Sequence, residues 1–305
     1  MKVFVTGASG FVGEEILRQL HAAGYGIRIL ARKEKSSAVQ SAAARFKVEI
    51  HPGDVTDAQT LFGALIGCDA VIHLVGIISE VGKSTYENIH TRGTQNMVGA
   101  AQPAGVRRFI HMSALGTRPN AVARYHQSKW AAEEILRHSG LDFTIFRPSI
   151  IYGPHDHFVN LFASLSRFSP VLPVIGDGRA KLQPVPVADV AKCFVSALSE
   201  PKSIGQTFDL AGRDVLSFEQ VLDTILEVTH RKRWKMHVPL AIARLQATLL
   251  EKVFPLFGKA PPFNRDQLLM LQEDNVGDAK CAMELFSING VSFKDGIAGY
   301  LHSSN

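Results

Sequence analysis

The chain has 305 residues, of which 46% are hydrophobic and 20% charged, with a formal net charge of +5. This composition is that of a folded globular protein and excludes a disordered, collagen-like or coiled-coil chain. The positive charge is not gathered into a long basic run, which disfavours nucleic acid as a partner. Cys68, Cys193 and Cys281 form no CxxC pair, so neither a disulfide framework nor a zinc ribbon is expected.

The opening segment, MKVFVTGASG, has no apolar run long enough for a signal peptide, so we expect a cytoplasmic protein. The most hydrophobic stretch runs from Pro239 to Phe257, but Arg244, Glu251 and Lys252 interrupt it. A spanning helix needs about 20 predominantly apolar residues. We therefore expect this stretch to lie on a surface rather than to cross a bilayer.

Short β-rich runs alternate with amphipathic helical patterns through the first half of the chain. The alternation is typical of βαβ units on a parallel sheet whose strands are buried on both faces. We predict an α/β fold, a Rossmann-like doubly wound parallel sheet with a smaller, partly discontinuous C-terminal cap. The predicted strands run from Val3 to Thr6, Ile27 to Ala31, Phe46 to His51, Ala70 to Leu74, Arg108 to Met112 and Asp142 to Arg147.

Frequent glycine and proline after Pro148 indicate a change of architecture. We predict a nucleotide-binding Rossmann domain over residues 1–153, to which residues 185–212 return. A smaller domain for substrate or docking is predicted over residues 154–184 and 213–305. Ser217, with Gln220 three residues later, predicts a capping box at the start of a helix from Phe218 to Thr229.

The first predicted strand leads into the sequence TGASGFVG and then into a helix beginning at Phe11. Glycines allow a tight turn and close approach of the backbone to a pyrophosphate, and the helix N-terminus attracts the phosphate charge. Strand, loop and helix in this order predict a dinucleotide site. The residues assigned to the loop site are Thr6, Gly7, Ser9, Gly10, Phe11, Val12 and Gly13.

The second predicted strand ends at Arg32, where a site that prefers NAD places an acidic residue on the ribose hydroxyls. Arg32, with Lys33 beside it, offers cations to a 2′-phosphate instead and favours NADP(H) over NAD(H). The alternative is an exposed basic turn. Residues after later strands are also assigned to the cofactor: Asp54, Val55, Leu74, Val75, Gly76, Pro148, Ile150 and Ile151.

Tyr125 and Lys129 stand four residues apart in the sequence YHQSK, between the fifth and sixth predicted strands. On a helix this spacing places both side chains on one face. The ammonium is then expected to lower the phenol pKa toward a range useful for proton transfer. We assign Tyr125 and Lys129 as a catalytic acid–base pair, with Lys129 also on the cofactor.

These motifs, together with RPSIIYGP at 147–154, resemble the short-chain dehydrogenase/reductase superfamily in its extended or atypical, epimerase/dehydratase-like branch. The segments FDLAGRDVLSFEQVL, HRKRWKMHVPL and NRDQLLMLQEDNV are similar to the group that contains the alpha-subcomplex subunit 9 type of respiratory complex I and its bacterial relatives. The resemblance implies a Rossmann fold, a nicotinamide cofactor and a Tyr–Lys pair. It also implies a respiratory complex as a possible partner.

Two positions depart from the extended enzymes that the chain resembles. Ser113, assigned as a substrate anchor, is followed by Ala114 and stands close to Tyr125 in sequence, and His90 stands where those enzymes tend to have asparagine. The leading hypothesis is an NADP(H)-dependent carbonyl or enone oxidoreductase. The alternatives are a non-catalytic nucleotide-binding subunit of a respiratory membrane complex and, third, a nucleotide-sugar epimerase or dehydratase.

Two further clusters of polar residues are candidate sites. The residues at 155–157, His-Asp-His, have no additional ligands at recognisable spacing, and we assign no metal. The basic segment at 230–235 reads either as a solvated turn or, with the apolar stretch that follows, as a docking surface over residues 230–263. Such a surface predicts a peripheral position on the inner face of a membrane.

Overall fold

The computed structural model describes residues 1–301, which form two compact units. The first unit contains Met1–Arg147 and Val190–Phe208, and the second contains Pro148–Asp189 and the chain from Asp209 onward. The chain therefore enters the second unit, returns to the first and leaves it again.

The strands account for the central sheet of the first unit and for three small sheets. In chain order they are β1 (Lys2–Thr6), β2 (Gly26–Ala31), β3 (Glu49–Pro52), β4 (Ala70–His73), β5 (Arg108–Met112), β6 (Asp142–Pro148), β7 (Ile151–Tyr152), β8 (Val171–Ile175), β9 (Lys181–Leu182), β10 (Val185–Pro186), β11 (Gln206–Leu210), β12 (Leu216–Ser217) and β13 (Trp234–Val238).

The helices vary from six to fourteen residues. They are α1 (Phe11–Ala22), α2 (Ser37–Phe46), α3 (Gly93–Ala101), α4 (Arg124–Arg137), α5 (Val159–Phe168), α6 (Val187–Ala197), α7 (Phe218–Val228), α8 (Leu240–Val253), α9 (Arg265–Met270), α10 (Lys280–Leu285) and α11 (Phe293–Leu301). Among residues 1–301, none of them combines the length and apolarity needed to cross a bilayer.

The seven-stranded sheet has the order β3-β2-β1-β4-β5-β6-β11, with parallel pairing from β3 through β6. The order reverses direction beside β1, which is the switch point at which doubly wound sheets bind ligands. β1 and β4 are almost wholly buried because helices cover both faces. The predicted Rossmann-like α/β fold is confirmed.

One strand begins later than predicted. The strand expected from Phe46 starts at Glu49, because α2 continues through Phe46 and ends at Lys47 in the left-handed conformation, with φ of 52°. A helix most often ends on glycine in this conformation. Lysine at this position gave no signal in the sequence that the helix stops there.

The second unit has its own hydrophobic core, formed mainly by α5, α7 and α11 around Phe162, Phe218 and Phe293. Three two-stranded sheets, β10-β7, β12-β9 and β13-β8, lie in this unit. The capping box predicted at the start of α7 is confirmed, since Ser217 Oγ accepts from Gln220 N–H and the Gln220 side chain accepts from Ser217 N–H.

Candidate functional site

The loop between β1 and α1 has a geometry that requires its glycines. Gly7 has φ of +73°, and a Cβ added to Gly13 would lie 2.3 Å from the carbonyl oxygen of Gly7. Real Cβ atoms do not approach so closely, so the helix packs on the loop only with glycine at 13. α1 begins after Gly10 without a side-chain cap, so its first N–H groups point toward the loop. This is a cradle that suits a pyrophosphate.

The other residues assigned to this site lie on the loop, at the end of β1 and in the first turn of α1. Ser9 and Gly10 are exposed, and Phe11 is half-buried. Thr6 and Val12 are buried, and Thr6 Oγ1 lies 2.7 Å from His73 Nδ1. Thr6 therefore ties β1 to the end of β4 beneath the loop rather than presenting a free hydroxyl.

Arg32 follows β2 directly and is exposed, as is Lys33. Neither side chain makes an ion pair or a hydrogen bond with another residue of 1–301. Asp54 follows β3, and its carboxylate accepts from the N–H and hydroxyl of Thr56. At this edge of the sheet, Arg32 and Lys33 are therefore free to bind an anion, whereas the Asp54 carboxylate is engaged by Thr56 in the turn after β3.

Leu74, Val75 and Gly76 follow β4 and lie against the glycine loop. A Cβ on Gly7 would be 3.1 Å from the Cβ of Leu74 and 3.2 Å from the amide nitrogen of Val75. Val55, in contrast, places its side chain in the hydrophobic core of the first unit. Pro148, Ile150 and Ile151 belong to the second unit, and their contact with a cofactor stays a prediction.

Tyr125 and Lys129 lie one turn apart on α4, which spans both residues. Lys129 is buried, and its Nζ donates to the carbonyl oxygen of Met112 at 3.0 Å, at the end of β5. Burial lowers the pKa of Lys129 to about 8, against the opposing effect of Glu133. The ammonium is thus brought to the carboxyl ends of the strands, where the loops after β1 and β4 also lie.

The pKa of Tyr125 was expected to be lowered by Lys129, and this expectation is wrong. Burial raises the pKa of this phenol to about 12. The ring is packed edge-on against His90 and His126, with ring centroids 5.4 and 5.2 Å away, while the Lys129 ammonium is held by the Met112 carbonyl. A phenol with this pKa keeps its proton at neutral pH, as a proton donor must.

Ser113 does not present its hydroxyl to a substrate in this arrangement. It is buried after β5, and its Oγ donates in a short hydrogen bond to the Glu133 carboxylate. Glu133 is fully buried on α4 and also pairs with Arg147 of β6 and Arg137 of α4, each at 2.6 Å. The predicted substrate anchor is therefore part of a structural ion-pair network.

That network continues the line of Tyr125 and Lys129, because Tyr125, Lys129, Glu133 and Arg137 follow one another at intervals of four residues on α4. Sequence reasoning did not identify Glu133. Its spacing to Arg137 on a helix was the available signal, whereas its bond to Arg147 depends on how α4 packs against β6.

Three buried histidines lie near Lys129. His73 and His111 are neighbours on β4 and β5 with stacked rings 5.5 Å apart, and His90 lies on a π-helical turn, Glu87–Arg92. All three are buried, and burial lowers their pKa values, to about 3 for His73 and about 2 for His90, with the Lys129 charge as a further cause. They are neutral imidazoles at physiological pH.

The two clusters of the second unit have structural roles. Asp156 accepts from the N–H groups of Phe158 and Val159 and so caps α5, while His155 and His157 are exposed. In the basic turn, Arg231 donates to the carbonyl of Ala163 and Arg233 to that of Ser166. Lys235 pairs with Asp223. Most of the cations proposed for docking are therefore used to join α5 and α7 to β13.

Comparisons with known proteins identify the family of the chain. The model of the NAD dependent epimerase/dehydratase family matches residues 3–211. The chain is 28% identical over 302 residues to NADH dehydrogenase [ubiquinone] 1 alpha subcomplex subunit 9 of Arabidopsis thaliana, covering 95% of this chain and 72% of that protein.

A second relative is the ceramide reductase of Caulobacter vibrioides, 32% identical over 200 residues, which are 65% of this chain and 61% of that protein. Among solved structures, the UDP-glucuronic acid 4-epimerase of Bacillus cereus, in complex with UDP-glucuronic acid and NAD, covers 99% of both chains with a TM-score of 0.74 and 20% identity. At this identity the similarity shows the fold alone.

Proposed function

The chain belongs to the NAD dependent epimerase/dehydratase family, and on that premise we propose that it is an NADP(H)-dependent oxidoreductase that reduces a carbonyl or enone. The observation that carries the proposal is the convergence of the glycine cradle after β1, the segment 74–76 after β4 and the Tyr125–Lys129 pair at one end of the sheet. The family uses a nicotinamide dinucleotide, and the preference for NADP(H) rests on Arg32.

When bound, such a cofactor supplies a hydride to the substrate carbon. The residues of this chain would supply the remainder: the N–H groups of α1 would hold the pyrophosphate, and Tyr125, protonated at neutral pH, would give its proton to the substrate oxygen. Lys129, charged below a pH of about 8, stabilises the phenolate that remains. Proton loss from Lys129 is expected to limit turnover as pH rises through 8.

Cofactor preference tests the role of Arg32. We expect the wild type to bind NADPH at least about tenfold more tightly than NADH, because a charge-assisted hydrogen bond contributes about 1.5 to 3 kcal/mol. Arg32→Asp should lose this preference, as measured by calorimetric titration. Lys35→Asp makes the same change of charge three residues away and should retain it. Equal affinity of the wild type for both cofactors would contradict the assignment.

Substrate class is tested with a panel of carbonyl compounds and enones. The panel includes a long-chain ketone, because one relative is named a ceramide reductase. It also includes UDP-sugars, because the third hypothesis is a nucleotide-sugar epimerase or dehydratase. Reduction of a carbonyl compound with NADPH supports the proposal, whereas conversion of a UDP-sugar alone would replace it.

The second candidate function is a non-catalytic nucleotide-binding subunit associated with a membrane complex. The similarity to complex I subunits favours it, and so does an exposed apolar surface on α8. Ile242, Leu245, Leu249 and Val253 follow at intervals of three and four residues, so they form one stripe, and Leu245 is 71% exposed. The opposite face of α8 carries Ala243 and Ala247, which are buried.

Charge favours an anionic bilayer as the partner of this surface. Arg244, Lys252 and Lys259 are exposed and have no ion pair among residues 1–301, and the nearby Glu251 is paired with Arg265. A helix with an outward apolar stripe beside unpaired cations is typical of interfacial binding. The α8 surface therefore replaces the basic turn at 230–235 as the docking site, within the predicted range of 230–263.

Vesicle co-sedimentation tests this surface. We expect binding to anionic vesicles at low salt that fades at high salt, because each cation near an anionic membrane contributes about 1 kcal/mol and is screened by ions. Leu245→Asp with Leu249→Asp should abolish it, and Arg244→Gln with Lys252→Gln and Lys259→Gln should weaken it.

Phe62→Asp is the matched control, because it alters an apolar side chain of the first unit that is even more exposed than Leu245 and Leu249. If the wild type stays in the supernatant at low salt, lipid is not the partner of α8. Recovery of respiratory-complex subunits from native membranes by the same wild type would then assign the surface to a protein partner.

A further inference from the structure

A chain of three hydrogen bonds joins the segment after β4 to the first turn of α4. The N–H of Ile77 donates to His90 Nε2 at 3.0 Å, His90 Nδ1 lies 2.8 Å from Ser128 Oγ, and Ser128 Oγ donates to the carbonyl oxygen of Tyr125 at 2.7 Å. A backbone N–H can only donate, so Nε2 carries the lone pair and Nδ1 carries the proton. One tautomer of His90 therefore satisfies all three hydrogen bonds.

The surroundings of His90 fix the plane of its ring. Tyr86 stacks on it with centroids 5.6 Å apart and planes 22° apart, and Tyr125 meets it edge-on at 5.4 Å. The π-helical turn that carries His90 turns it inward, leaving it 1% exposed. π-helical turns are frequent at functional sites, and here the turn delivers a bifunctional side chain between two segments that contact the site.

Gly76 shows how closely these groups meet. A Cβ at this position would lie 3.1 Å from Lys129 Nζ and 3.4 Å from His90 Nε2. The segment assigned to the cofactor, the ammonium and the imidazole are therefore within contact distance of one another. A shift of Ile77 away from His90 would move Gly76 relative to Lys129.

We propose that His90 is a positioning residue that holds the segment 75–77 and the Tyr125 turn of α4 at one fixed spacing. Both of its ring nitrogens are used in these hydrogen bonds, so it is not assigned a part in the proton transfer. Through Nε2 it fixes the backbone beside Gly76, and through Nδ1 and Ser128 it fixes the carbonyl of Tyr125. This inference rests on the proposed function, in which the first segment meets the cofactor and the second supplies the proton.

Two substitutions of His90 separate its two bonds. The amide of asparagine coincides with the near side of the ring, so His90→Asn keeps the bond to Ser128 and loses the bond to Ile77. Glutamine is one carbon longer, so His90→Gln reaches Ile77 and loses Ser128. Ser128→Ala removes the link to Tyr125 without altering the imidazole. His138→Asn makes the same substitution at an exposed histidine that follows the last residue of α4, and it serves as the control.

Fluorescence titration with NADPH and ultraviolet difference titration of Tyr125, with Tyr125→Phe subtracted, are the two measurements. We expect His90→Asn to weaken NADPH binding about fivefold, as for one lost hydrogen bond, and His90→Gln to bind within about twofold of the wild type. In His90→Gln and Ser128→Ala the pKa of Tyr125 should move from its raised value toward 10, because the loosened turn admits water.

Identical NADPH affinity and identical Tyr125 titration in the wild type, His90→Asn and Ser128→Ala would overturn the positioning role. Thermal unfolding of each variant identifies a global loss of structure, and Ser128→Ala decides the question if His90→Asn does not fold. A wild type that binds no NADPH would overturn the proposed function instead, and the tyrosine titration would still decide the role of His90.

Discussion

Replacing Tyr125 with phenylalanine is expected to lower turnover of a carbonyl substrate by about 10²- to 10⁴-fold, the usual contribution of general acid catalysis. The ring would still pack against His90 and His126, so NADPH affinity and thermal stability should be unchanged. The loss should therefore appear in kcat rather than in the affinity for the cofactor. Steady-state kinetics on a substrate from the carbonyl panel, with NADPH titration of the same preparation, measures both.

Tyr86→Phe is the matched control for this prediction. Its ring also contacts His90 and Tyr125, but its hydroxyl donates to the carbonyl of Ile78 and is not assigned to the chemistry. We expect Tyr86→Phe to retain turnover within about tenfold, the effect of one net hydrogen bond. Unchanged turnover in Tyr125→Phe would assign the proton donor to another group. Absence of turnover on every compound in the wild type would favour the accessory-subunit hypothesis.

The second large effect is expected at Glu133. Glu133→Gln should lower the free energy of unfolding by about 3 to 5 kcal/mol, because it leaves the guanidinium groups of Arg147 and Arg137 without their buried anion. For a chain of this size the melting temperature should fall on the order of 10 °C. Denaturant unfolding and calorimetry of the purified variant measure the two quantities.

Glu134→Gln provides the control on the adjacent residue. Glu134 also pairs with Arg137, but its side chain is 39% exposed, and an exposed pair contributes about 0 to 1 kcal/mol. Equal stabilities for the two variants would show that the buried network does not hold α4 to β6.

Glu133→Gln also removes the negative charge that raises the pKa of Lys129. The pH above which turnover falls should therefore be lower in Glu133→Gln than in the wild type.

Local patterns predicted the parts of the site that depend on neighbouring residues. The glycine spacing in TGASGFVG sets the cradle because Gly13, in the first turn of α1, packs on Gly7 of the loop only six residues before it. The spacing of Tyr125 and Lys129 sets their common face because both lie on one helix. The βαβ alternation predicts the parallel sheet, because a helical crossover returns each strand in the same direction as the one before. These features need little information from distant parts of the chain.

Long-range packing determined the parts that the sequence did not predict. Ser113 was assigned to substrate, but its hydroxyl meets Glu133, twenty residues later, only because α4 packs against the end of β5. The cations at 231 and 233 suggested a free basic surface, but carbonyl groups of α5 accept their hydrogen bonds. The raised pKa of Tyr125 likewise results from burial by other residues. The spacing of residues in the sequence does not predict that burial.

Native mass spectrometry of the protein incubated with NADPH tests the central claim most directly. We expect one NADP(H) per chain on the wild type and none on Gly13→Ala, because the added Cβ would lie 2.3 Å from the Gly7 carbonyl oxygen and displace the loop. Gly99→Ala, in an open position on α3, is the control and should retain the cofactor. A wild-type chain that carries no nicotinamide cofactor, or a Gly13→Ala variant that carries it as well as the wild type does, would contradict the account.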